Sequence, residues 1–183
     1  MTIEHIHNGG TPSWSGVLPG EPRAYFLESG DGERSQAFDF LATVLLSGDE
    51  TGGQFGVFTV VQPAGETIIA HTHSTVHEIF YITEGAVRVF LEHQAGNQEN
   101  RVLRPGDFCY VPANTLHAYR AEGEKNKFIS ACTGGFERFF HTLGNVTEAR
   151  GEPGPFVTPT QEQLERAFSN YNTLPRYDQQ WNE

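Results

Sequence analysis

Two histidines one residue apart, followed closely by a glutamate, constrain the fold of this chain more than any other feature. His71, His73 and Glu78 lie between Gly65 and Gly85, in the pattern G-x5-H-x-H-x4-E-x6-G. On an extended strand, residues i and i+2 project from the same face. The spacing therefore predicts a strand that presents both imidazoles, then a short turn, then a returning strand that begins at Glu78.

A fourth metal ligand has to come from elsewhere in the chain, and His117 offers it on a later strand that follows Pro112. Taken alone, a strand histidine is more often a packed or surface residue, and a lone glutamate is more often solvated. Together, three neutral imidazoles and one carboxylate suit Zn, Cu, Fe, Ni, Co or Mn and leave positions open for water or substrate. We therefore predict a metal site formed by His71, His73, Glu78 and His117.

Short apolar segments separated by Gly and Pro turns run through most of the chain, which is typical of an all-β sandwich or barrel. The pattern includes no Gly-rich phosphate loop and no alternation of strands with helices. The predicted strands are 24–27, 38–46, 54–62, 67–71, 78–83, 86–92, 101–103, 107–111, 117–121 and 127–132.

Two helices are predicted near the end of the chain. Apolar residues recur at helical spacing over 136–143. Thr158, Pro159 and Gln161 are interpreted as a cap, a first-turn proline and a capping-box partner for a helix that ends near Asn170. The last residues, 171–183, are expected to be irregular, with aromatic side chains that pack back on the barrel.

The chain divides into three predicted parts: an arm over 1–22, a barrel with its following helix over 23–148, and a helix and tail over 149–183 that pack on the barrel. The arm is rich in Gly, Pro and Ser. It contains His5 and His7, to which we assign no site.

The balance of charge excludes some partners. Lys and Arg total 12 against 23 Asp and Glu, for a formal net charge of -11, so we expect neither nucleic acid nor an anionic membrane as a partner. The first ten residues lack the basic and apolar regions of a signal peptide. Cys109 and Cys132 form no disulfide framework. These features favour a cytoplasmic protein.

The motifs resemble those of the cupin superfamily. The first block matches the cupin pattern at every specified position. The second block, from Gly106 to His117, follows G-x5-P-x-G-x2-H-x3-N with two departures, since Asn114 replaces a glycine and Ala121 replaces the closing asparagine. Asn114 can adopt the left-handed conformation of a turn glycine, and neither change removes a ligand. The resemblance implies a single cupin (jelly-roll-like) β-barrel with short C-terminal helices.

Segments around the motifs are similar to those of bacterial quercetin 2,3-dioxygenases (flavonol 2,4-dioxygenases). The resemblance runs from about residue 23 to 148 and is carried by 24–34, 53–55, 78–81, 106–108, 111–120 and 135–144. It implies an enzyme that opens the central ring of a flavonol such as quercetin with O2, releases carbon monoxide and leaves a depside ester. In that reaction Glu78 is expected to be the general base that takes the proton of the flavonol 3-hydroxyl.

The resemblance also implies one divalent metal, with Ni or Mn favoured and Co, Fe or Cu possible. The 14 Phe and six Tyr suit a flat aromatic substrate. The substrate-binding residues predicted from strand faces and motifs are Phe80, Tyr119, Phe55, Phe108 and Phe136.

Two other functions remain open at this point. One is another cupin dioxygenase that acts on a phenolic or enolic substrate. The other is a non-catalytic cupin that binds a small molecule, which would have no need of a complete ligand set. A homodimer is expected in each case, because barrel edges expose strands that pairing covers.

Overall fold

The structure is a computed structural model that describes residues 16–183. Most of the predicted arm, with His5 and His7, lies outside the described residues. The strands are β1 (Glu33–Ala37), β2 (Phe40–Leu46), β3 (Phe55–Pro63), β4 (Ala70–His73), β5 (Glu78–Glu84), β6 (Val87–Glu92), β7 (Gln98–Leu103), β8 (Phe108–Val111), β9 (Leu116–Ala121), β10 (Lys125–Thr133), β11 (Asn145–Val146) and β12 (Thr173–Arg176). The helices are α1 (Phe139–Leu143) and α2 (Gln161–Asn170), with 3-10 turns at Gln94–Gly96 and Phe136–Arg138.

The strands form two sheets. One has seven strands in the order β11-β1-β2-β3-β10-β5-β8, and the other has five in the order β12-β4-β9-β6-β7. All the strand pairs are antiparallel. The predicted all-β architecture is confirmed, in the form of a β-sandwich.

Alternation along the strands builds the core between the sheets. On β10, Phe128, Ser130 and Cys132 are buried and the residues between them are partly exposed, as the period of a strand requires. The Phe80 ring on β5 lies 5.2 Å from the Phe128 ring and 5.7 Å from the Tyr119 ring of the opposite sheet. Burying an aromatic side chain of this kind stabilises the folded state by about 1.5–3 kcal/mol.

A glycine of the first motif is required by the turn between β5 and β6. Gly85 has a φ of 77°, and a Cβ there would collide with the carbonyl oxygen of Lys125. Only glycine meets both conditions. Asn114, with a φ of 66°, has the left-handed conformation predicted for it.

The structure differs from the predicted strands in several places, and β4 (Ala70–His73) lies two to three residues later than the predicted strand 67–71. Residues 24–27 form no strand, and Phe26 is fully exposed. The predicted strand 38–46 begins only at Phe40, because Phe38 has a φ of 51° and turns the chain between β1 and β2. The polar segment β1 was missed: its side chains do not favour a strand, but its backbone pairs with both β2 and β11.

The C-terminal helix begins two residues later than predicted. Thr160, rather than Thr158, is the cap: its Oγ1 accepts a hydrogen bond from the Gln163 backbone N–H, and the Gln163 side chain accepts one from the Thr160 N–H. Both Thr158 and Thr160 precede a glutamine three residues on, so composition alone does not choose between them. Over 136–143, the predicted helix is a 3-10 turn followed by α1.

The expectation of an irregular end is wrong for Thr173–Arg176, where β12 pairs with β4, whereas residues 177–183 form no helix or strand, as predicted. Beyond β12 the chain crosses the five-stranded sheet, where the Trp181 ring lies 5.4 Å from the Phe90 ring. Over residues 16–183, no helix has the length and apolar character needed to cross a membrane.

Candidate metal centre

Strand register brings the three predicted histidines together. His71 and His73 lie on β4, and His71 is directly opposite His117 of β9. The ring centroids are 4.4 Å apart for His71 and His117, 4.8 Å for His71 and His73, and 5.4 Å for His73 and His117. One ring nitrogen from each histidine lies within 4.8 Å of the others, so the three could hold one metal ion.

The fourth predicted ligand comes from the other sheet. Glu78 opens β5, and its Oε2 lies 3.6 Å from the Nε2 of His117 and 4.0 Å from the Nε2 of His73. Its other oxygen, Oε1, accepts a hydrogen bond of 3.2 Å from the Ser130 hydroxyl. The carboxylate is therefore oriented by β10, with Oε2 turned toward the imidazoles.

Hydrogen bonds at Nδ1 orient the rings. The Nδ1 of His71 lies 2.8 Å from the Ile69 carbonyl oxygen, and that of His117 lies 2.9 Å from the Thr115 carbonyl oxygen. A carbonyl oxygen only accepts, so each Nδ1 carries the proton and each Nε2 keeps its lone pair. This is the tautomer that binds a metal through Nε2.

Unpaired nitrogen atoms in the cluster indicate that a metal ion would fit there. Within the described part of the chain, the buried Nε2 atoms of His73 and His117 have no hydrogen-bond partner. A buried polar atom without a partner costs about 1–3 kcal/mol. A divalent ion between these nitrogens and the Glu78 carboxylate would satisfy both, and the donor set suits a first-row transition metal.

The protonation state also fits. Burial, with His117 and His73 nearby, lowers the pKa of His71 well below its ordinary value. Burial lowers the pKa of His73 to about 4, although Glu78 opposes the shift and His117 adds to it. Both rings are therefore neutral near pH 7, as metal binding requires.

A cavity of about 430 Å³ opens from this cluster and includes His71, Glu78 and His117 in its wall. Three of the predicted substrate contacts, Phe80, Tyr119 and Phe136, also line it. Their surroundings are mostly apolar. A buried polar pair lies among them, since the Tyr119 hydroxyl donates to the Gln62 side chain over 3.1 Å.

The other two predicted substrate contacts, Phe55 and Phe108, are not among the residues that line this cavity. Phe108 is 57% exposed and faces outward with its cross-strand partner Tyr81, whereas Phe80 and its partner Cys109 occupy the alternate position. Phe55 is 45% exposed at the start of β3. Both residues lie next to sequence motifs, but a motif does not indicate which face of its strand is buried.

Much of the cavity wall comes from the C-terminal part of the chain, where Phe136 is the one substrate contact predicted from the sequence. The apolar face predicted over 136–143 points into the cavity, and α2 and β12 complete that wall. The contributing residues are Phe136, Phe139, Phe140, Leu143, Leu164, Phe168, Thr173 and Pro175. The helical periodicity was a usable signal for the first four, and nothing local marks Thr173.

His77, the neighbour of Glu78, takes no part in the cluster. It is exposed, and its Nδ1 lies 2.7 Å from the Tyr110 hydroxyl, with the two rings stacked. The side chains of adjacent strand residues point to opposite faces, which accounts for the separation.

The fold and the histidine cluster together define a two-sheet β-sandwich with a candidate metal centre. Residues 57–131 match the family model described as a cupin domain. KdgF from Halomonas sp. has the same fold, with a TM-score of 0.53 and 21% identity over 61% of this chain and 94% of that one.

Two curated proteins resemble the chain more specifically. It is 35% identical over 158 residues to quercetin 2,3-dioxygenase of Bacillus subtilis (strain 168), which covers 86% of this chain and 44% of the relative. It is 26% identical over 166 residues to quercetin 2,3-dioxygenase of Aspergillus japonicus, which covers 87% of this chain and 47% of that relative. The chain thus spans less than half the length of each. Its predicted resemblance to these dioxygenases is confirmed.

Proposed function

We propose that this chain is a metal-dependent flavonol 2,4-dioxygenase that opens the central ring of quercetin with O2 and releases carbon monoxide. The observation that carries the proposal is the junction of the histidine cluster with a mostly apolar, aromatic-lined cavity. Its volume of about 430 Å³ falls within the range of small-molecule sites, about 300–1,000 Å³. Similarity to two quercetin 2,3-dioxygenases supports the substrate class.

In this proposal His71, His73, Glu78 and His117 hold the metal, with Ni or Mn preferred over Co, Fe or Cu. The bound metal supplies Lewis acidity, which lowers the pKa of a hydroxyl that coordinates it. This is supported by the close approach of the three histidines and by the Glu78 carboxylate, which lies within 4.0 Å of His73 and His117.

Glu78 is the proton acceptor. Oε1 accepts the hydrogen bond from Ser130, so Oε2, which would ligate the metal at rest, is the atom that takes the proton of the flavonol 3-hydroxyl when substrate binds. The carboxylate lines the cavity beside His71 and His117, within reach of a hydroxyl placed at the cluster. The hydrogen bond that the Ser130 hydroxyl donates keeps the acceptor in place while the proton moves.

Phe80, Tyr119 and Phe136 contact the flavonol rings. Phe136 also packs edge-on to the His73 ring, with centroids 4.4 Å apart, so a substrate stacked on it would lie next to the cluster. Apolar walls exclude water from the reacting atoms, which favours reaction with O2 over side reactions with solvent.

The proposal extends to a cytoplasmic homodimer. The free thiols of Cys109 and Cys132 suit a reducing compartment. The outermost position of β8 in the seven-stranded sheet supports pairing with a second copy.

The test loads metal-free protein separately with Ni, Mn, Co and Fe, adds quercetin in air, and follows flavonol loss together with carbon monoxide. We expect rapid loss with one carbon monoxide per flavonol in at least one metal form. Metal binding without turnover in any form would overturn the flavonol assignment and direct the search to other phenolic or enolic substrates. Protein that takes up no metal would favour a non-catalytic binder.

A further inference from the structure

The three histidines of the cluster are not oriented in the same way. The Nδ1 atoms of His71 and His117 meet the carbonyl oxygens of Ile69 and Thr115, each two residues earlier in the chain. The Nδ1 of His73 instead lies 3.1 Å from the hydroxyl of Thr173, a hundred residues later. Two rings are thus fixed by their own strands, and the third depends on a distant side chain.

Thr173 is placed by strand register. It opens β12 and lies directly opposite His73 in the β12–β4 pair. Both residues are buried, with exposures of 3% and 2%. The hydroxyl of Thr173 is the hydrogen-bond partner that the structure gives for the Nδ1 of His73.

We propose that Thr173 is a positioning residue of the metal centre and that β12 is therefore part of that centre. Its hydroxyl oxygen accepts a hydrogen bond from the Nδ1–H of His73. This bond holds the ring in one orientation and keeps the Nε2 lone pair toward His117 and Glu78. This inference rests on the metal-holding role in the proposed function and does not depend on which substrate is used.

The segment after β12 holds that strand in place. Trp181 packs on Phe90, and the backbone N–H of Asn182 donates to the Gln98 side chain over 2.9 Å. Glu183 pairs with Arg120 at 2.6 Å. These contacts fasten residues 177–183 across the five-stranded sheet, so the end of the chain stabilises the position of Thr173.

The test measures Co(II) binding to metal-free protein by competition with a chelator, together with the visible absorption of the bound Co(II). Thr173→Val keeps the shape of the side chain and removes the hydroxyl. We expect Co(II) affinity to fall about 10- to 100-fold, the usual cost of losing such a partner, with a changed Co(II) spectrum. Thr173→Ser should restore both readouts to near the wild-type values.

Thr59→Val is the matched control, because Thr59 is equally a buried strand threonine but does not line the cavity. It should bind Co(II) as the wild type does. Wild-type affinity and spectrum in Thr173→Val would overturn the proposal, and so would an equal loss in Thr173→Ser. If the valine variant does not fold, Thr173→Ala serves for the same comparison. Because quercetin is absent, a failed flavonol assay leaves this result unaffected.

Discussion

At the scale of the residue, the chemistry of the site depends on which atom of each side chain is already engaged. Each histidine uses Nδ1 for a hydrogen bond within the protein, so Nε2 is the atom left for a metal. Glu78 uses Oε1 for Ser130, so Oε2 is left for a metal or a proton. The cluster is oriented before any ligand arrives, which lowers the cost of binding one.

Glu78→Gln separates the two roles of this side chain. An amide oxygen can still approach a metal, but it is a far poorer proton acceptor than a carboxylate. We expect kcat for quercetin to fall about 100- to 10,000-fold, the usual contribution of a general base, in protein that still contains metal by elemental analysis. Ser130→Ala, which keeps the carboxylate, is the milder control. Near-normal turnover in metal-loaded Glu78→Gln would refute the assignment.

Phe80→Ala tests the cavity wall. Removing the ring takes away about 1.5–3 kcal/mol of apolar contact, so KM for the flavonol should rise about 10- to 100-fold while metal content stays unchanged. Ile82→Ala is the matched control: Ile82 is on the same strand as Phe80 and is also fully buried, but it is not among the cavity-lining residues. It should reduce stability without changing KM. Loss of metal from Phe80→Ala would instead identify Phe80 as a support of the metal centre.

At the scale of the element, a buried group of charges holds the segment that walls the cavity. Arg138 ends the 3-10 turn before α1, and its guanidinium lies 2.7 Å from Asp49 and 3.4 Å from Glu33. Next to it, the buried Glu137 accepts hydrogen bonds from the backbone N–H groups of Gly48 and Gly135. These contacts join the turn to β1 and to the loop after β2, which fixes Phe136 beside His73.

Arg138→Met should be strongly destabilising. Burial raises the pKa of Glu33 and Arg138 opposes that shift, so removing the guanidinium leaves a buried carboxylate without compensation. We expect the free energy of unfolding in urea to fall by about 3–5 kcal/mol.

The double variant Arg138→Met/Glu33→Gln should recover part of the loss caused by Arg138→Met, because no buried charge is left uncompensated at Glu33. Arg150→Met is the control: its ion pair with Asp31 is shorter, at 2.6 Å, but is more exposed. An exposed pair contributes about 0–1 kcal/mol. Two results would contradict this prediction. One is a fall of less than about 1 kcal/mol in the free energy of unfolding of Arg138→Met. The other is a double variant that is no more stable than Arg138→Met.

At the scale of the whole molecule, the site is formed where two sheets meet. The five-stranded sheet supplies the three histidines, and the seven-stranded sheet supplies Glu78 and Ser130. Stability and metal binding are therefore coupled, because the ligands come together only when both sheets are assembled.

The burial of His73 predicts that the stability of the metal-free protein depends on pH. His73 has a folded pKa of about 4 against an ordinary value of 6.5, so between these values the unfolded chain binds a proton that the folded chain does not. The contribution of the neutral ring to the free energy of unfolding is fully present above pH 6.5 and is lost as the pH falls toward 4. From pH 7 to pH 5, His73 should account for a loss on the order of 2 kcal/mol.

Urea unfolding at pH 7 and pH 5 checks this prediction. In His73→Gln the fall in the free energy of unfolding from pH 7 to pH 5 should be smaller than in the wild type. His77→Gln, which replaces an exposed histidine, should leave it unchanged. The same loss in all three proteins would show that other groups govern the acid response.

The sequence by itself determined the residues of the cluster and most of the strands. His71, His73 and Glu78 lie within one strand–turn–strand unit, where a period of two residues is enough to place their side chains. Turn chemistry was equally local: Gly85 and Asn114 have the positive φ values that their positions in the motifs imply. Signals of this kind do not depend on the rest of the fold.

Only the tertiary structure decided what surrounds the cluster. The pairing of β12 with β4 brings Thr173 to His73 across a hundred residues, and no local pattern encodes that register. The same holds for the apolar face over 136–143, whose periodicity marks a buried side without naming what it faces, and for Phe108, whose exposure follows from the face that its strand buries. Local sequence fixes the direction of a side chain relative to its own backbone, whereas its neighbours depend on free energy summed over the whole packed chain.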